Sequence, residues 1–255
     1  MPMAAKQRQL LAFFLLNADR FVSVSECIDE LWDGAIPDSV VPTLQTYTMQ
    51  LRKILRRAGD RVPGQESRLV TGGPGYTFLV RPGELDVDRF EALLRLGQDA
   101  IAARDEVRAA RLLSEALDSW RGPALADVRP GPLLRARLAE LAERRRFALD
   151  QRIDLDLRLG RHHALLHELS TRVERHPLDE NAHAQFMLAL YRSGRRARAL
   201  EVFERLRRRL GEDHGLEPAP PIQRLRAAVV AADPRLDPVV HAPSALSLDL
   251  FARAG

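Results

Sequence analysis

Thr43, Gln45, Thr46 and Gln50, followed by Arg52, Lys53, Arg56 and Arg57, gather hydroxyls, amides and cations into one short run, and no carboxylate occurs between Asp38 and Asp60. Glutamine can bond adenine through two contacts, and threonine can touch a thymine methyl. Arginine and lysine neutralise phosphates, giving affinity and register without sequence information. Interleaved with them, Val40, Leu44, Tyr47, Leu51, Leu55 and Ala58 recur every three or four residues. That period predicts one helix over Ser39–Ala58 with an apolar stripe on one side. Pro42 falls in its first turn, where the missing N–H costs nothing. A helix that buries one face and offers the other to an anionic groove has the form of a DNA recognition helix. An ordinary amphipathic helix with a solvated polar face has the same pattern.

The neighbouring segments must position this helix. Lys6–Asn17 is almost continuously apolar, which suits a central core helix. Ser23 and Glu26 have the capping-box spacing and open a helix over Val24–Trp32 that ends at Asp33-Gly34. Its Ser23 end offers N–H groups to a phosphate. Arg68–Thr71 and Tyr76–Val80 read as two strands around Gly72-Gly73-Pro74-Gly75, a turn requiring positive φ. Thr71, Gly73 and Tyr76 are the wing residues expected near the DNA backbone or minor groove. Three helices and a hairpin make a winged helix-turn-helix.

Beyond residue 84 helical periodicity continues, broken at Gly122-Pro123, Gly131-Pro132, Gly160, Pro177 and Gly194. Leu159-Gly160-Arg161 and Ser193-Gly194-Arg195 lie 34 residues apart, an offset that also aligns Leu157 with Tyr191 and Leu166 with Leu200. That is the tetratricopeptide period, and stacked helical hairpins present a curved surface to protein partners. The predicted fold is therefore mainly α: a winged helix-turn-helix with a small β-hairpin wing, then an all-α tetratricopeptide-like repeat domain. The expected boundaries are 1–81 and 84–232, with a loose tail over 233–255 that holds Pro234, Pro238 and Pro243.

Residues 6–80 resemble the winged-helix DNA-binding domain of the Streptomyces antibiotic regulatory protein family, related to response-regulator output domains. The resemblance rests on Lys6-Gln7-Arg8, Val22-Ser23-Val24, Leu31-Trp32, Thr43-Leu44-Gln45-Thr46-Tyr47, Leu51-Arg52 and Pro74-Gly75-Tyr76. Glu84-Leu85-Asp86-Val87-Asp88-Arg89-Phe90 and Trp120-Arg121-Gly122-Pro123 are similar to signatures of the bacterial transcriptional activation domain that follows it. The resemblance implies a transcriptional activator that binds direct heptameric repeats near the −35 element, commonly as two side-by-side protomers. It further implies contact with RNA polymerase, including its sigma subunit, at antibiotic biosynthesis clusters. By their own chemistry Thr43, Gln45, Thr46 and Gln50 are the candidates for base edges and Arg52, Lys53, Arg56 and Arg57 mainly for phosphates. Family members begin with a small β-sheet, whereas five residues precede Lys6 here, and Gly72 stands where related domains often carry an arginine. The competing expectation is a helical-repeat adaptor whose winged helix is degenerate and binds no DNA.

Composition adds little to this. Net charge is +4 over 255 residues, yet the first 80 hold nine basic and eight acidic side chains. Only two of the 39 cations, Lys6 and Lys53, are lysines, a bias that a GC-rich genome produces. The one cysteine, Cys27, excludes an intrachain disulfide framework and fits a reducing compartment. No apolar run approaches the roughly 20 residues of a membrane span, and no secretory pattern opens the chain. A cytoplasmic, nucleoid-associated protein is expected, with no membrane partner. His162, His163 and His167 have a spacing that can ligate a metal, but surface histidines at a helix start are the plainer reading. Arg144–Arg146 and Arg207–Arg209 read as solvated helix faces. No phosphate loop, nucleophile elbow or paired-cysteine motif occurs, so neither cofactor nor catalysis is expected.

Overall fold

The computed structural model describes residues 3–57 and 67–237. Ala58, Asp60 and the tail beyond residue 237 lie outside the described residues. Two packing units emerge, one from Met1–Leu93 with Glu115–Arg146, the other from Leu94–Ser114 with Phe147–Gly255.

In the first unit, α1 (Ala5–Leu16) is the central helix, with Leu10, Ala12, Phe13 and Phe14 all buried. Its nearly all-round apolar surface requires cover on several sides. After it come β1 (Phe21–Ser23), α2 (Val24–Trp32), α3 (Val40–Arg57), β2 (Leu69–Gly72) and β3 (Gly75–Phe78). The three strands form one antiparallel sheet in the order β1-β3-β2, with Val22 opposite Tyr76 and Thr71 opposite Tyr76 on the other side. The hairpin turns through Gly73 and Pro74, and Gly73 adopts φ +52°, as a two-residue turn demands at its first central position. Sequence periodicity missed β1 because three residues cannot display alternation, and it pairs with β3, more than 50 residues away.

Val22, Cys27, Leu31, Leu44, Leu51, Leu69 and Phe78 complete this core, with the rings of Phe14 and Tyr76 edge to face at 5.8 Å. Burial pushes the Cys27 thiol up to about 12, with the neighbouring Glu26 charge adding to the rise, so Cys27 packs as a small apolar group. Leu134 joins the same core from well beyond the wing.

The remaining helices are α4 (Asp86–Ala102), α5 (Glu106–Asp118), α6 (Pro132–Arg158), α7 (His162–Arg175), α8 (Glu180–Arg192), α9 (Arg196–His214) and α10 (Pro220–Ala231). In the second unit, α7 packs on α8 and α8 on α9 around Leu169, Phe186, Met187, Leu190, Val202, Phe203 and Leu206. The repeat anticipated at 34 residues is visible in the hydrogen bonds. At the end of α6 the Arg161 N–H donates to Asp156 O (2.8 Å) and Gly160 N–H to Leu157 O (3.1 Å). At the end of α8 the Arg195 N–H donates to Leu190 O (2.9 Å) and Gly194 N–H to Tyr191 O (2.9 Å). Gly160 and Gly194 have φ +76° and +73°, the left-handed residue of this helix stop.

Two sequence expectations need correction. His162 is buried rather than a surface histidine. Asp233–Asp237, expected to be loose, contains a 3-10 turn over Pro234–Leu236, and Arg192 Nε donates to Leu236 O at 2.7 Å.

Candidate nucleic-acid interface

α3 buries Leu44, Thr48 and Leu51, with Tyr47 and Leu55 half-buried against the same core. The opposite face presents Pro42, Gln45, Thr46, Met49, Lys53, Arg56 and Arg57, all exposed. Among the described residues, the side chains of Gln45, Lys53, Arg56 and Arg57 make no hydrogen bond or ion pair. At 1.5 Å per residue, Pro42 to Lys53 spans about 16 Å, a length a major groove can accept. The threonines differ from the glutamine. Thr46 Oγ1 donates to Pro42 O (2.9 Å) and Thr43 Oγ1 to Ser39 O (2.8 Å). With its hydroxyl turned back onto the helix, Thr46 offers mainly its methyl group outward.

The flanks of α3 are occupied. Gln50 is half-buried and its amide oxygen accepts from Gln7 at the start of α1. Arg52 donates to Leu69 O (2.9 Å) and to Thr71 Oγ1 (2.6 Å), and its guanidinium lies 6.0 Å from the Tyr76 ring. The geometry therefore ties Arg52 and Thr71 to each other, fastening the wing to the helix. Tyr76 is 6 % exposed and belongs to the core, not to the wing surface. The exposed wing tip is Thr71, Gly72, Gly73 and Pro74, which carries no charge.

The Ser23 end of α2 departs from expectation. Ser23 N donates to Glu26 Oε2 (2.8 Å), Val24 N to Pro74 O (2.8 Å) and Glu26 N to Ser23 Oγ (3.2 Å). Of the four N–H groups that a helix start leaves over, only that of Ser25 is unengaged among the described residues. The Glu26 carboxyl is held below its ordinary range, chiefly by the Ser23 hydroxyl and then by the Ser23 amide. A carboxylate at this point repels phosphate, so Ser23 acts here as a cap and as the seat of the wing.

Several residues that merely marked the resemblance have structural work. Lys6 donates to Leu31 O and sits over the Trp32 ring, which stacks on Tyr47. Arg68 grips Glu84 with two bonds of 2.6 Å, and the Arg81 N–H adds a third at 2.7 Å. Led by the Arg68 bonds, these hold the Glu84 carboxyl down at about 2. Phe90 and Trp120 meet edge to face at 5.3 Å, with Arg145 over the Trp120 ring. Arg144 and Arg146 pair with Glu140 and Glu143, and Arg207 with Glu204, as solvated helix faces do.

α3 therefore presents an exposed cationic face beside a wing tip that carries no charge. Residues 85–230 match the bacterial transcriptional activator domain. The chain is 40 % identical to the regulatory protein DnrI of Streptomyces peucetius over 253 residues, covering 97 % of this chain and 93 % of that protein. This chain belongs to the Streptomyces antibiotic regulatory protein family. It is 36 % identical to the transcriptional regulator RedD of Streptomyces coelicolor over 252 residues, 98 % of this chain and 70 % of RedD. Against the regulatory protein AfsR of the same species, identity is 38 % over 91 % of this chain but only 22 % of AfsR. The solved structure of Mycobacterium tuberculosis EmbR in complex with a low affinity phosphopeptide superposes with a TM-score of 0.82 at 31 % identity. It covers 92 % of this chain and 61 % of that one. As a member of this family the chain is a transcriptional regulator with a winged helix and a helical activator domain. No helix among the described residues is long and apolar enough to cross a membrane.

One exposed residue of the α3 face was absent from the sequence reading. Met49 is 58 % exposed, between Gln45 and Lys53 on the outward side. Its signal was in plain sight, an apolar residue off the apolar stripe, but a search for polar and cationic groups passes over it.

Proposed function

We propose that this protein activates transcription of a secondary-metabolite biosynthesis cluster by binding promoter DNA through α3 and recruiting RNA polymerase. The observation that carries this reading is the outward face of α3, which has cations, an unengaged amide and no carboxylate. A face used only for packing has no need of such a composition. Gln45 and Thr46 read base edges, while Lys53, Arg56 and Arg57 bind phosphates. Thr43 and Gln50 border the reading face, and Arg52 with Thr71 sets the height of the wing, whose Gly73 tip lies closest to the neighbouring backbone. The target is a direct repeat near a promoter, bound by two protomers side by side. The helical region over 84–232 meets RNA polymerase and its sigma subunit, and the protein acts in the cytoplasm, at the nucleoid, without catalysis.

The test is selection of genomic fragments by the purified full-length chain at about 150 mM salt, where unspecific phosphate binding is already weakened. Recovery of a short repeated motif upstream of genes supports the proposal. Weak, uniform retention that disappears with added salt favours the adaptor, in which the winged helix serves packing alone.

A further inference from the structure

Met49 stands out among the large apolar side chains because it lies on the polar side of α3. At 58 % exposed it contributes little to the core, and the core residues of α3 are Leu44, Thr48 and Leu51. A single exposed apolar side chain is ordinary on a protein surface, and what distinguishes Met49 is its place among the polar and cationic residues of the outward face of α3. Its neighbours one helical turn away are Gln45, Thr46 and Lys53, and Thr46 has its hydroxyl bonded to Pro42 O at 2.9 Å. The methyl of Thr46, the thioether of Met49 and the ring of Pro42 therefore form an apolar strip within the reading face. Lys53, Arg56 and Arg57 continue the same face with three exposed positive charges. The charge identifies the occupant as polyanionic, and the strip calls for an apolar group on that polyanion. In the major groove only the C5-methyl of thymine meets both requirements.

We infer that Met49 is a specificity-determining residue that reads the methyl group of a thymine in each half of the operator. This rests on the DNA-binding role proposed above, and it adds a base identity to it. A methionine suits the contact because its unbranched chain adapts to small shifts of the methyl position. Met49 thus sets a preference for thymine over cytosine at one step, while Gln45 sets the identity of a neighbouring base.

The experiment uses the full chain and the operator obtained by genomic selection, with each thymine replaced in turn by deoxyuridine. That exchange removes the methyl and leaves base pairing intact. The wild-type chain should bind about four- to ten-fold more weakly at one position per repeat, the scale of losing one buried methyl contact. Met49→Ala should bind thymine and deoxyuridine equally there, and Met49→Gln, similar in size but polar, should do the same. Lys53→Ala should keep the wild-type ratio. An operator indifferent to every deoxyuridine, or a Met49→Ala chain that keeps the full ratio, overturns the inference and leaves the DNA-binding role standing. Failure to select any specific site overturns both.

Discussion

Lys53 and Arg52 are adjacent cations with different surroundings, and their substitution should separate two roles. Lys53 is exposed and unpaired among the described residues, so Lys53→Ala leaves folding intact and removes one phosphate contact. Binding should weaken by a similar factor on all sequences, and the slope of log K against log salt should flatten by about one. Gln45→Ala should instead relax discrimination at one base by roughly 1–3 kcal/mol and leave the salt slope alone. Arg52 holds Leu69 O and Thr71 Oγ1, so Arg52→Ala should lower stability by about 1–2 kcal/mol in denaturant titration. If Lys53→Ala destabilises as Arg52→Ala does, or Arg52→Ala shifts only the salt slope, the division between groove face and wing anchor is wrong. Sequence alone grouped Arg52 with Lys53 because periodicity places both off the apolar stripe. What separates them is a long-range pairing with β2, which helical spacing cannot report.

At the scale of elements, legibility followed whether a local pattern carries the structure. α2 was read to its observed ends because Ser23 marks its start chemically, and α8 opens in the same way, with Asp179 Oδ1 accepting the Ala182 N–H at 3.0 Å. The helix stops show both sides of the rule. Arg104 and Ala232, at φ +58° and +52°, close α4 and α10 with the same pattern as Gly160 and Gly194: Asp105 N–H donates to Ala100 O and Asp233 N–H to Ala228 O. Only the two glycines advertised the geometry, so only they revealed the 34-residue spacing. A Cβ at Gly194 would meet nothing within 4 Å, and the cost of Gly194→Ala is therefore backbone strain alone. Gly194→Ala should destabilise the protein by about 1–2 kcal/mol, seen as a lowered denaturant midpoint with an unchanged slope. An unchanged midpoint would mean that the α8–α9 turn has no need of its left-handed residue. Tyr76 shows the opposite failure, for its place in a wing motif suggested exposure and only the tertiary packing on Phe14 reveals that it is core.

Across the whole molecule, the boundary that motifs place near residue 82 is not where packing divides the chain. Residues 115–146 share a unit with the winged helix, and Glu30 is among the residues that join them. Its side chain is wholly buried in α2, where Oε1 accepts the Gly131 N–H at 2.6 Å and Oε2 the Leu134 N–H at 2.9 Å. Gln9 adds an amide at 2.9 Å, so a carboxyl from the helix-turn-helix caps the start of α6. A helix N-terminus favours that negative end, and the enclosure leaves no water to replace it. Gly131 permits the approach, because a Cβ there would lie 1.9 Å from Glu30 O. Glu30→Ala strands two backbone donors, while Gln9 keeps its 2.7 Å bond to Glu30 O, and should cost roughly 2–4 kcal/mol, a large part of a typical domain's stability. Glu30→Gln keeps the volume but aims an amide N–H at one of the two donors, so it should fall between Glu30→Ala and wild type. Amide hydrogen exchange locates the effect: in Glu30→Ala, protection should drop first at Gly131 and Leu134, before it changes in α8 or α9. Exchange at Gly131 and Leu134 that stays slow in Glu30→Ala would show that α6 holds its own N-terminus, and that the winged helix is attached there by other contacts, such as the burial of Leu134 and the Arg135–Asp33 pair at 2.9 Å.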